Sequence, residues 1–184
     1  ALMSFRYALL AFVTVVMPVS AENARTQMEL PLHGWRVVTD GVMGGVSTGG
    51  LEAARHAGRD CLNLSGEVST RNNGGFIQMA RDLEETELKD IQTYTGVQLL
   101  VRGHDQDYNL HLRTRDLWFP WQAYRATFHA TPEWQSVKLP FAAFKPYKTS
   151  TELDVRRLQR LGIVAIGRDF TARLCVAEVA FYRD

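Results

Sequence analysis

Charge of one sign is scarce in this sequence. Its 21 Lys and Arg face 20 Asp and Glu, a formal net charge of +1 over 184 residues. Nucleic-acid binders draw their affinity from basic surfaces that release counterions, so this balance excludes nucleic acid as a partner. No block of like charge marks a membrane-surface patch, and partners are expected to be neutral or charged only locally. Cysteine is as sparse. Cys61 and Cys175 stand far apart, without the close pairing with histidines that a zinc site uses. Catalytic patterns are missing too. None of His33, His56, His104, His111 and His129 pairs with Glu or Cys at metal-ligand spacing. No Gly-x-Ser-x-Gly elbow occurs. Glu84, Glu85 and Glu87 lie close together and read as a solvated acidic turn, because a general-acid pair needs carboxylates facing across a cleft. The expectation is a chain with no cofactor, no metal and no enzymatic apparatus, which works by binding.

A single apolar run is present, Tyr7 to Val19, behind Met3 and the positive charge of Arg6. It is too short for a comfortable membrane span, which needs about 20 residues. It ends in Val19-Ser20-Ala21, small residues where a signal peptidase reads. Residues 1–21 therefore read as a signal peptide, with Ala1 and Leu2 ahead of the expected initiator Met3. The competing reading is an N-terminal membrane anchor. Cleavage would leave a chain starting at Glu22, periplasmic or secreted, without a stable membrane span. Loss of Arg6 balances the remaining cations and carboxylates. In an oxidising compartment the two cysteines can form one disulfide; two buried thiols acting as small hydrophobes are the other reading.

Beyond the leader, short alternating stretches recur between Gly, Asn, Asp and Pro. The clearest of these stretches are Cys61–Gly66, Val97–Arg102, Tyr108–Arg113, Tyr124–Phe128, Trp134–Leu139, Ile163–Ile166 and Leu174–Val179, with apolar residues recurring at a spacing of two. That period puts one face of a strand in a core and the other in solvent. Many such strands with turn signals between them imply an all-β sandwich or barrel. Asn72-Asn73-Gly74-Gly75 tolerates positive φ and reads as a hairpin turn. Helix is limited to a turn or two over Leu83–Asp90 and a short segment that Asp154 would cap through Leu161, with Gly162 stopping it. No repeat, low-complexity tract or linker divides the chain.

Trp35-Arg36-Val37-Val38-Thr39-Asp40-Gly41-Val42-Met43-Gly44-Gly45-Val46-Ser47 is more distinctive than strand-and-turn rules require. It resembles the opening signature of the complex I intermediate-associated protein 30 family. Further matches follow in the family's order: Gly66–Ser69 running into Asn72–Phe76, Gly96-Val97, the Val101–Gly103 strand end, Tyr108–Arg113, and Trp134 through Leu139-Pro140-Phe141 with Phe144 and Pro146. The resemblance runs from about Trp35 to Tyr182. It implies a galactose-binding-like jelly roll over residues 35–182, preceded by an extension over 22–34. It also implies a part in assembling protein complexes, since eukaryotic members are assembly factors for respiratory complex I.

For recognition, Arg113-Thr114-Arg115-Asp116-Leu117-Trp118-Phe119-Pro120-Trp121 stands out. Two indoles and two guanidiniums fall within one short segment, and Pro120 interrupts any regular ladder. Exposed aromatics beside Arg are the composition of binding hot spots and of sugar-stacking platforms. The bland reading has Trp118 and Trp121 closing one end of the core. Arg113, Arg115, Trp118 and Trp121 are the leading site residues, with Asn72 and Asn73 expected beside them. Asp40 is open to two readings, accepting from ligand hydroxyls or satisfying backbone amides of its own loop, and the second is favoured. Trp35 and Trp134 are expected in the core. A protein or complex under assembly is the leading partner; a glycan, as for a carbohydrate-binding module, is the alternative.

Overall fold

The computed structural model describes residues 26–184; the leader expected over residues 1–21 lies outside them. Twelve strands form two six-stranded antiparallel sheets. The first sheet orders β3 (Thr48–His56), β4 (Arg59–Val68), β12 (Phe170–Tyr182), β6 (Gly96–Arg102) and β9 (Gln135–Pro140), with β1 (Gln27–Leu30) also on β12. The second orders β10 (Lys145–Tyr147), β8 (Ala123–Ala130), β7 (Gln106–Thr114), β11 (Leu158–Ile166), β5 (Phe76–Asp82) and β2 (Arg36–Thr39). This is the all-β sandwich that the strand pattern implies, in the jelly-roll form that the resemblance implies. Because β1 pairs with Val179–Tyr182, the sandwich takes in residues ahead of Trp35.

Alternation fills the space between the sheets. Leu64, Val97, Leu99, Val101, Leu174 and Val176 project from one side, and Ile77, Met79, Leu110, Leu112, Leu161 and Ile163 from the other, all fully buried. Each such side chain contributes about 1.5–3 kcal/mol of transfer free energy. Two polar groups enter this interior with partners. The Tyr108 hydroxyl accepts from Arg173 N at 2.9 Å, and burial pushes its phenol up to about 12. Arg81, 3% exposed, donates to both carboxylate oxygens of Glu87 at 2.7 and 2.8 Å and to His33 O at 3.2 Å. Glu87 is therefore not a solvated member of an acidic turn. It closes a capping box with Glu84 on the one-turn helix α1 (Glu85–Leu88) and ties that helix to β5.

Several local expectations give way to tertiary pairing. Asp154 caps only a 3₁₀ turn, Val155–Arg157, and Leu158–Leu161 enters β11 instead of continuing a helix. A register shift between Leu158 and Arg160 is the reason: a bulge lets residues three apart, Leu158 and Leu161, face the same side. Asn72 and Asn73 do adopt positive φ, 57° and 56°. They form a corner between sheets, since β4 pairs with β3 and β12 while β5 pairs with β11 and β2. Trp134 is half-buried outside the core cluster, its indole N–H donating to His56 O at 3.1 Å. Val137 and Leu139 point inward from β9, so Trp134, of opposite parity, takes the outer face. Trp35 does pack against the core. Cys61 and Cys175 are bridged, with Cα atoms 5.6 Å apart.

Candidate binding surface

The β7–β8 connection is held by its own polar groups. Leu117, 7% exposed, plugs into the core, and its N–H donates to Thr114 O at 3.2 Å. The Gln122 side-chain carbonyl accepts from Trp118 N at 3.1 Å and Phe119 N at 3.0 Å, while its amide donates to Lys148 O at 3.3 Å. Arg113, on the outer face of β7, donates through Nη1 to Phe119 O at 2.8 Å and Gln122 O at 2.5 Å. Arg115 N donates to Arg157 O at 2.9 Å, and Arg157 pairs with Asp116 at 2.5 Å. Pro120 has no N–H to satisfy. With the backbone so occupied, the rings turn outward: Trp118 is 91% exposed, Phe119 51% and Trp121 47%. Phe119 and Trp121 lie stacked, centroids 4.8 Å apart and 9° from parallel. A pinned loop that presents apolar rings loses little conformational entropy on binding.

Polar groups lie on the same loop and on the sheet that carries it. Arg115 is exposed and lines a depression of about 460 Å³ together with Glu85, Thr86, Leu88, Lys89 and Arg156. Burial, and then the neighbouring Arg160, hold Arg113 below the usual guanidinium range. On the outer face of the second sheet, Arg125 lies flat over Tyr147, 3.7 Å from the ring centroid, and donates from Nε to His111 Nε2 at 3.0 Å. Burial, with Arg125 and Arg113 adding repulsion, pushes the His111 imidazole down to about 3, so it is neutral at pH 7. Among the described residues no group of three or more His, Cys, Asp or Glu is arranged to hold a metal ion.

Asp40, Asn72 and Asn73 are not part of this surface. Thr39 pairs with Ile77 where β5 begins, whereas Thr114 pairs with Leu158 at the far end of β11. The length of β5 thus separates the Asp40 loop and the Asn corner from the aromatic loop, about 20 Å at roughly 3.3 Å per residue. Asp40 is fully buried. Its carboxylate accepts from Ser47 N at 2.9 Å, Ser47 Oγ at 2.5 Å, Gly75 N at 2.5 Å and, at the limit, Phe76 N at 3.4 Å. No oxygen of Asp40 faces solvent for a ligand. A Cβ on Gly45 or Gly74 would overlap that carboxylate, which is why glycine flanks it on both segments. Asn72 and Asn73 are exposed at the corner, near the exposed Val42, Met43 and Val46 of the Asp40 loop. Arg125, His111 and Tyr147 were not singled out as a site by sequence. Only the β8–β7 and β8–β10 registers bring them together.

The family model described as Complex I intermediate-associated protein 30 (CIA30) matches residues 24–176. No curated protein is similar enough to count as a relative. Among solved structures, the sandwich is similar to the family 11 carbohydrate-binding module of the cellulosomal cellulase Lic26A-Cel5E of Clostridium thermocellum, with a TM-score of 0.70. The identity is 9%, and the match covers 86% of this chain and 95% of that one. The Clostridium thermocellum module solved with a β-1,3-1,4-mixed-linked tetrasaccharide gives a TM-score of 0.68 at 9% identity, covering 86% of this chain and 96% of that one. The family 30 module of the cellulase Cel9D-Cel44B of the same organism gives 0.55 at 13%, covering 76% and 91%.

Proposed function

The chain belongs to the complex I intermediate-associated protein 30 family, and from that membership we propose that it is a non-catalytic binding domain which docks on a polypeptide during assembly of a protein complex. The contact is the loop carrying Trp118, Phe119 and Trp121. One observation carries this reading: Trp118 is 91% exposed on a loop whose backbone is fixed by Gln122 and Arg113. An indole that touches almost nothing of its own fold is a protrusion, and a protruding aromatic bordered by Arg is hot-spot composition. The other rings suit a pyranose less well. Phe119 covers one face of Trp121, and Arg125 already lies over Tyr147.

A glycan is the second reading. It is favoured by the likeness to modules solved with and without an oligosaccharide, and by the hydrogen-bonding side chains Asn109, Thr127, Gln78 and His111 on the outer face of the second sheet. Affinity electrophoresis in gels containing mixed-linked β-glucan separates the two. Unretarded migration is expected; retardation abolished by Trp118→Ala would move the assignment to sugar.

The site of action belongs to the same proposal. The leader is removed after Ala21, and the domain works in the periplasm or outside the cell. No helix among the described residues is long and apolar enough to cross a membrane. N-terminal sequencing of protein from the native host should begin at Glu22; a full-length, membrane-retained species would contradict export.

A further inference from the structure

The outer face of the second sheet gathers cations that its own carboxylates do not neutralise. Adjacent strands present Lys145 on β10, Arg125 on β8, Arg113 on β7 and Arg160 on β11. Lys145 stands directly opposite Arg125 in the register, and Arg113 directly opposite Arg160. Like charges placed so are destabilising. Among the described residues only Asp82 pairs with any of them from within the sheet, and it is shared between Arg160 at 2.6 Å and Arg36 at 3.2 Å.

Among the described residues, Arg113, Arg125, Lys145 and Lys148 pair with no carboxylate. Their partners are neutral. Arg113 is held by two carbonyls, Arg125 by the imidazole of His111 and the ring of Tyr147, and Lys148 sits 5.4 Å from that same ring. The Arg125 Nη2 is buried and meets no acceptor within the fold. Neutral contacts aim a guanidinium without discharging it. The charge is left for a ligand.

We propose that this face receives an acidic, extended stretch of the partner polypeptide, with carboxylates over Arg125, Arg113 and Lys145 and an apolar side chain of the same stretch against Trp118. The inference builds on the polypeptide reading of the aromatic loop and names the chemistry of what binds there. The spacing suits it. Strands lie about 4.8 Å apart, so cations on four neighbouring strands span about 15 Å, and an extended chain returns a side chain to one face about every 6.6–7 Å. Two or three acidic residues in a stretch of five or six would cover the row. An anionic sugar has the charge but gains less, since Tyr147 already carries Arg125 and the available neighbour, Trp118, is a projecting apolar group.

The test uses the whole domain and a fluorescein-labelled octaglutamate peptide, read by anisotropy. Saturable binding is expected, weakening about tenfold between about 20 and 300 mM salt as screening shortens. Lys145→Glu, at an exposed position that holds nothing in place, should weaken it about tenfold, and Arg125→Gln comparably. Trp118→Ala should change it less than about twofold, because the peptide has no apolar side chain. The peptide thus reads the cationic face apart from the aromatic loop, so either can fail alone. Absence of saturable binding, or indifference to Lys145→Glu in a variant with an unchanged melt, would each overturn the proposal.

Discussion

Two oxygens of Asp40 hold three pieces of chain together, and the consequences are measurable. Ser47 Oγ donates to Asp40 and accepts from Ser69 N at 2.9 Å, so the loop, the Gly75 corner and the end of β4 share one buried hub. Asp40→Ala strands those donors and should cost about 3 kcal/mol of stability in denaturant melts. Burial raises the Asp40 carboxyl, and the bonds from Ser47, Gly75 and Phe76 more than offset that, leaving it below the ordinary value. Its contribution is thus complete above the usual carboxylate range and lost as pH falls through its lower folded value. His111 makes a second prediction. Its folded-state value of about 3 lies below the ordinary 6.5. Between those values the unfolded chain binds a proton that the folded chain refuses. Stability therefore falls as pH drops through the window, by up to about 1.4 kcal/mol per unit. His129, raised by its hydrogen bond to Asp107, works in the opposite sense, so a comparison with His111→Gln isolates the effect. Melts at about pH 7 and pH 5 should show a smaller acid loss in the variant; equal losses would refute the buried neutral imidazole. Trp134 is out of phase with Val137 and Leu139, which already assigns it to the outer face. The bonds of Asp40 to its own loop are local turn chemistry, which is why that reading was open to the sequence. The Arg125–His111–Tyr147 group was hidden, since it needs the registers of three strands.

The strands were legible because alternation is a local property of the chain: Val97–Arg102 and Tyr108–Arg113 fall within β6 and β7. What failed was any feature set by how strands meet. Leu158 and Leu161 carry helical spacing, yet a bulge produces the same facing in β11. Asn72-Asn73 has hairpin chemistry but turns the chain from one sheet to the other. The cysteines lay between the two cases, each in a recognisable strand with nothing local to say whether they met. They do, across β4 and β12, closing a separation of 114 residues. In the chain-entropy account that closure stabilises the fold by about 4–5 kcal/mol. The double variant Cys61→Ala/Cys175→Ala should lose about that much, and an unchanged melt in non-reducing buffer would show that the bridge contributes nothing.

For the whole molecule, near-neutral composition concealed a segregated surface. Balanced totals could not show that uncompensated cations collect beside the aromatic loop, because segregation arises only when β10, β8, β7 and β11 are set side by side. The same assembly divides the expected site, leaving Trp118 and Trp121 at one end of the second sheet and Asn72 and Asn73 at the other. Stability and recognition are accordingly separable: Trp118 supports almost nothing within the fold, whereas Asp40 supports three segments and is closed to ligands. The most direct test is photo-crosslinking in the native host from a benzoylphenylalanine placed at position 118, with one at Val42, at the opposite end of the sheet, as control. The account predicts a discrete polypeptide adduct from position 118 that is absent from position 42. Equal adducts from both positions, or adducts with glycan alone, would contradict it.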